Sequence, residues 1–272
     1  MRKSAAALGG TLGIAALVLA ATPATADSHT ASLSVLHGVP DLTVDVYVNG
    51  EITLDDFAPG ELAGPLELEP GTYTVAITAA DAADDGAPVI GPVDLPLEEG
   101  RNYTAVAHLD AQGSAPTATL FTNDTSPTAP GEGRLTVRHV AAAPAVDVLA
   151  GGEAVISGLA NPDEASLDLP AGTVSAAVAA AGTTEPVIGP ADVTVAEGVS
   201  TVVYAWGSLE AGTLALATQT IEGLHSSPDG VPTGQVQVVE ESSSAVLWAG
   251  AAAVLALFVG FGVRRAAVTR DR

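Results

Sequence analysis

The chain has no cysteine, few aromatic residues, and a body with almost no positive charge. The missing cysteines exclude disulfide staples, thiolate metal sites and a cysteine nucleophile together. Aromatic residues make up only 4% of the sequence. Away from the terminal segments they are Phe57, Phe121, Tyr47, Tyr73, Tyr103, Tyr204 and Trp206, which leaves little for a sugar-stacking platform once a core is built. Between residues 27 and 244 only Arg101, Arg134 and Arg138 face 31 acids. Phosphate binding needs clustered Lys and Arg, so no nucleic-acid partner is expected. The acidity reads as a soluble, self-repelling surface, or as adaptation to a cation-rich setting outside the cell. Catalytic signatures are missing as well, since no G-x-S-x-G elbow and no H-E-x-x-H pair occurs.

What is present begins with the two ends. Arg2-Lys3, an apolar run from Ala5 to Ala21, Pro23 and Ala24-Thr25-Ala26 make a secretory signal over residues 1–26. Near the other end, residues 245–263 carry no charge and are followed at once by Arg264 and Arg265. As a helix this stretch reaches about 28 Å, close to a bilayer core, and the basic tail at 264–272 is expected to be cytoplasmic. The expected location is therefore the cell membrane, single-pass, with the N-terminal bulk extracellular. A cell-wall sorting signal is the alternative, but Val231-Pro232-Thr233-Gly234 lacks the leucine of an L-P-x-T-G site.

The body is written twice. "LSVLHGVPDLTVDVYVNG" at 33–50 aligns with "LTVRHVAAAPAVDVLAGG" at 135–152, offset by 102. "PGT" at 70–72 aligns with "AGT" at 171–173, and "PVIGP" at 88–92 recurs at 186–190, offset by 98. The lost residues fall around "AADAADDGA", which is therefore a turn, because loops accept deletions that strands do not. Val44, Val46 and Val48 alternate with Asp45 and Tyr47 before Asn49-Gly50, a strong hairpin signal. Tyr73, Val75 and Ile77 alternate in another strand, and further strands are expected at 102–109 and 116–122. The fold class is all-β: two tandem immunoglobulin-like β-sandwich domains plus one C-terminal transmembrane helix. The expected boundaries are domain 1 at 27–125, a linker at 126–133, domain 2 at 134–224 and a stalk at 225–244. PVIGP holds no acid, base or nucleophile and is read as scaffold.

The order of these markers resembles the bacterial surface proteins grouped under domain of unknown function 4397. His37, Val44-Asp45-Val46-Tyr47, Gly50, Pro70-Gly71-Thr72-Tyr73, Gly100 and Tyr103-Thr104 carry the resemblance. The second copy keeps His139, Val146-Asp147-Val148, Gly152, Ala171-Gly172-Thr173 and Gly198, but has Leu149 and Val174 where tyrosines stand in the first. The resemblance implies an extracellular β-sandwich without a settled activity.

His37 and His139 are the first candidates for chemistry, since each copy places a histidine at a strand end. A hydrolase would need a nucleophile and an orienting group beside them. A hydrogen bond to a nearby turn or Asp is the plainer use. Asp45 and Asp147 sit between core valines and face the other side of the strand. Asp81, Asp84 and Asp85 form an acidic turn that calcium could use, although its spacing is not that of an EF-hand and the second copy lacks the acids. Tyr204 and Trp206, two apart on one strand face, are the candidate ligand contact. Asn102-Tyr103-Thr104 and Asn123-Asp124-Thr125 match the glycosylation pattern. The expected function is non-enzymatic: a membrane-anchored surface protein, without cofactor, that displays two sandwiches for adhesion or interaction with an unidentified extracellular protein or glycan. The alternatives are a binding module for a glycan, peptide or calcium, and a hydrolase using His37 or His139.

Overall fold

A computed structural model describes residues 29–226. The expected leader at 1–26, the expected stalk beyond Ser226, the apolar segment at 245–263 and the tail lie outside the described residues. The first eight strands are β1 (Ala31–Gly38), β2 (Val44–Val48), β3 (Glu51–Phe57), β4 (Leu62–Leu68), β5 (Gly71–Ala79), β6 (Ile90–Leu97), β7 (Asn102–Leu109) and β8 (Pro116–Thr122). The next eight are β9 (Glu132–His139), β10 (Val146–Ala150), β11 (Glu153–Leu159), β12 (Glu164–Pro170), β13 (Gly172–Ala180), β14 (Pro186–Val195), β15 (Val199–Trp206) and β16 (Ala215–Glu222).

Four sheets result, in the orders β4-β1-β7-β8 and β3-β2-β5-β6, then β12-β9-β15-β16 and β11-β10-β13-β14. The second pair repeats the first strand for strand. In each pair the sheets face one another: Val44, Val46, Ile77 and Ile90 of one sheet pack on Val35, Ala107 and Ala118 of the other. Leu135, Val137 and Val203 meet Val146, Val148, Val178 and Val193 in the same way. Each copy is thus a β-sandwich. The immunoglobulin expectation is corrected in its detail. A constant-type immunoglobulin domain sets four strands against three, whereas each sandwich here has four and four, with β1 and β7 paired in parallel at the centre of one sheet.

Local chemistry explains the edges and turns. Asn49 and Gly50 both take positive φ, at 53° and 80°, and join β2 to β3 as a tight hairpin requires. PVIGP opens edge strands β6 and β14, where its prolines cost no ladder bond to a neighbour. Its glycine marks a register skip against β5 between Val75 and Ile77. Gly91 has φ 94°, and a Cβ there would lie 2.6 Å from the Val75 carbonyl oxygen. Gly189 repeats this against Ala176. The recurring pentapeptide is an edge bulge.

The two sandwiches meet through the outward faces of the β4-β1-β7-β8 and β12-β9-β15-β16 sheets. Leu36, Val106 and Phe121 of the first form one buried cluster with Val140, Val202, Tyr204, Ile221 and Leu224 of the second. A closed hydrogen-bond ring lies among them. Asn123 Nδ2 donates to Thr104 Oγ1 at 3.0 Å, and Thr104 donates to Gln219 Oε1 at 3.0 Å. Tyr204 also donates to Gln219 Oε1. Arg138 completes the ring, donating to the Tyr204 hydroxyl at 2.8 Å and to Asn123 Oδ1 at 2.7 Å. Its guanidinium lies 4.2 Å over the Phe121 ring, and its Nε donates to Glu164 at 2.7 Å.

The segment at 126–133 is tied down rather than left as a spacer. Thr128 is buried and donates its amide to the Leu224 carbonyl. Arg134 grips both oxygens of Asp168 at 2.8 and 3.0 Å and reaches Asp124 at 2.8 Å. β9 already starts at Glu132. Arg138 is 1% exposed, so truncating it strands buried partners. Arg138→Ala is expected to cost about 3–5 kcal/mol of unfolding free energy, and Glu164→Gln, at the wet end of the same pair, about 1 kcal/mol or less. Chemical denaturation of the two variants checks this order.

Candidate functional site

His37 and His139 occupy equivalent places at the ends of β1 and β9, and each is 1% exposed. His37 donates from Nε2 to the Leu42 carbonyl at 2.6 Å, and His139 from Nε2 to the Pro144 carbonyl at 3.1 Å. Each ring therefore staples the loop that follows its own strand. The Nδ1 atoms have no partner. A histidine acting as a base needs one nitrogen toward a nucleophile and the other held by an orienting group. Here one nitrogen is committed to backbone and the other faces apolar surroundings, with the Phe57 ring stacked on His37 at 5.8 Å.

Burial pushes His37, His139 and the third buried histidine, His108, below the ordinary imidazole value of 6.5, against smaller upward effects from the carbonyl bonds. A folded value below the unfolded one means that the unfolded chain binds more protons. Stability then rises with pH through that window and falls as acid is added. Thermal unfolding is expected to shift downward as pH drops from about 7 to about 5.5, with protons taken up on unfolding. A flat profile by calorimetry would contradict the shifts.

Asp45 and Asp147 are buried and structural in the same way. The β2–β3 and β10–β11 ladders each skip register twice, with an extra residue on the second strand each time, and the first skip brackets Asp45 or Asp147. Asp45 Oδ1 accepts from the amide of Asp56, whose φ is 52°, at 2.9 Å. Asp147 Oδ1 accepts from Gly158, φ 68°, at 2.8 Å. The carboxylate holds the amide that the bulge would leave unpaired. The copies differ at the other oxygen. Asp147 Oδ2 accepts from the Gly182 amide at 2.8 Å, whereas Asp45 has Asp55 and Asp56 beside it, with ligand atoms of all three within 4.8 Å of one another.

These three carboxylates are the described residues that could hold a divalent cation. They are not the acidic turn singled out in the sequence. Asp84 there caps the Gly86 amide at 3.0 Å, and Asp81 takes φ 67°. Asp55 and Asp56 were missed because neighbouring acids on an exposed strand carry no spacing signature, and a bulge brings both to Asp45. Lost hydration first, then the charges of Asp45 and Asp56, holds the Asp55 carboxyl above its ordinary value. The folded state therefore disfavours ionised Asp55, and this penalty is present above the folded value and absent below the unfolded one. Asp55→Asn is expected to raise the melting midpoint at neutral pH, with the gain vanishing in acid below the carboxylate range. Paired melts at the two pH values check it.

Tyr204, one half of the expected ligand contact, is fully buried in the interface ring and offers no face to solvent. Trp206 is half-buried against the interface cluster, beside the β3–β4 turn, and its Nε1 is buried without a partner. A Cβ on Gly60, in that turn, would lie 2.8 Å from the indole. The two aromatics pack; they do not form a platform. Asn123, in the second glycosylation pattern, is 6% exposed and spends its side-chain amide on Asn102 and Thr104. Thr104, Asn123, Arg138 and Gln219 were not read as a set, because polar residues scattered over three strands and the end of a fourth have no sequence pattern until the strands meet.

No curated protein matches the chain. Residues 31–149, from the first residue of β1 into β10, match the family model described as Domain of unknown function (DUF4397), and the match supports that family for this chain.

Proposed function

We propose that the chain is a membrane-anchored cell-surface protein that displays two interlocked β-sandwiches as a non-enzymatic interaction module. The leader at 1–26, the stalk at 225–244, the span at 245–263 and the basic tail at 264–272 are the sequence features that support the placement. The second sandwich, over 134–224, is proposed as a second copy of the family matched at 31–149. One observation carries the non-enzymatic reading: the residues that the repeat retains are consumed by the fold. His37 and His139 staple loops, and Asp45 and Asp147 pin bulges. The partner is an extracellular protein or glycan, and the acidic surface favours basic groups on it. Arg134 and Arg138 are buried, which leaves Arg101 as the exposed arginine among the described residues.

Protease treatment of intact cells tests the placement. The sandwich portion of the full chain is expected to be digested while a cytoplasmic marker survives, and a chain truncated after residue 244 is expected in the medium. Protection of the sandwiches in unbroken cells, or retention of the truncated chain, would overturn it.

A further inference from the structure

The two sandwiches are unequally filled: the second has a cavity of about 50 Å³ toward the end lined by His139, Pro144 and Leu209, and the first a larger one. Between the sheets of the first lies a cavity of about 130 Å³. Its walls are aliphatic apart from Thr53 and the ring of Tyr73, whose hydroxyl turns away to the Glu69 carbonyl at 2.8 Å. Ala105 of β7 and Ala118 of β8 form part of the wall. The ladders place Val203 and Leu216 at the equivalent positions of the second sandwich: Ala105 pairs with Val35 as Val203 pairs with Val137, and Ala118 with Ala107 as Leu216 with Ala205. Val203 and Leu216 belong to the core packing there. The first copy carries its bulk at one end instead, where Tyr73 and Leu120 pack on Leu33, Leu97 and Tyr103. Two methyl-sized side chains then leave the middle open.

We propose that this cavity is a binding site for a short alkyl chain with a neutral or cationic head. An apolar cavity of this kind stays dry, and one of about 150 Å³ accepts benzene or xenon. A natural core leaves few voids larger than a water molecule, so an unfilled space of this size forfeits packing that the second copy obtains with two larger residues. The cavity is reached between the edge strands β3 and β4, where Thr53 is exposed and Leu54 and Leu66 are half-buried. Thr53 supplies a hydroxyl at this mouth. Asp55, whose carboxylate turns to Asp45, and Glu67, which accepts from Thr30, are exposed acids on the outer faces of β3 and β4, so they disfavour a carboxylate or phosphate head near the mouth by their field alone. A hydrocarbon tail fills the walls, and its head remains outside.

The test uses the full chain in phospholipid nanodiscs, with xenon, 1-hexanol, hexylammonium and hexanoate as probes and empty nanodiscs titrated in parallel. Saturable methyl shifts at Ala105, Ala118 and Leu54 are expected for xenon, hexanol and hexylammonium, with hexanoate about threefold or more weaker. The variant A105V/A118L, which copies the second sandwich, is expected to lose the response at Leu54 and to melt higher. The proposal is overturned if the wild-type methyls show no saturable shift, or if the filled variant responds like the wild type. Equal binding of hexanoate and hexylammonium overturns the head-group assignment. Should the double variant fail to fold, A118L alone and the xenon map decide: shifts confined to the cavity methyls support the site, and shifts spread over the surface refute it.

Discussion

The arginine at position 138 has to stay charged in a place with almost no water. A guanidinium does not neutralise, so its burial is tolerable only where acceptors and a ring face surround it. No single sandwich supplies them all. Glu164 and Tyr204 come from its own half, while Asn123 and Phe121 come from the other. Separating the halves would leave the ring open and its apolar surroundings wet, so the docked pair is the arrangement that satisfies both. The anchoring of residues 124–128 by Arg134 and Leu224 follows the same demand, because the chain between the halves crosses beside this interface.

Comparing equivalent positions shows how two related halves became mates. Leu36 stands where the second half has Arg138, Val106 where it has Tyr204, and Phe121 where it has Gln219. Thr104 and Asn123 answer to Val202 and Ile221. Every polar member of the ring thus faces its way from a position that is apolar in the other copy. Two copies of the first half would bring no guanidinium, and two copies of the second would bury two without the asparagine. Complementarity of this kind specifies the hetero-pair within one chain.

Backbone geometry was held constant while side-chain surroundings diverged. The histidine staples, the aspartate-pinned bulges and the PVIGP edges recur because each satisfies a backbone group that either sandwich must satisfy. Core volume was freer to change. Val203 and Leu216 close the second core where Ala105 and Ala118 leave the first open, at the same strand positions. The acid-rich bulge beside Asp45 likewise belongs to one copy, since Ser157 and Gly158 replace its exposed acids in the other. Whatever the two halves contribute beyond a common scaffold therefore differs between them.

The all-β class, the duplication and the hairpin at Asn49-Gly50 were legible along the chain, because alternation and positive-φ turn residues act over a few neighbouring positions. Strands expected at 102–109 and 116–122 are β7 and β8. The expectation that histidine would bond a nearby turn was likewise local, and Leu42 lies five residues from His37. Alternation was misleading where a sheet is covered on both faces. β7 and β15 are buried almost throughout, and their polar residues look like interruptions in an apolar run. Tyr204 shared a strand face with Trp206, as its spacing required, but which side of the sheet meets water depends on the other sandwich. The ring around Arg138, the convergence of Asp55 and Asp56 on Asp45, and the cavity behind Ala105 all join residues distant in sequence. Sequence alone determined the turns and the repeat, since their causes are short-ranged. Tertiary structure decided burial, partnership and empty space, since those exist only once separate strands are brought face to face.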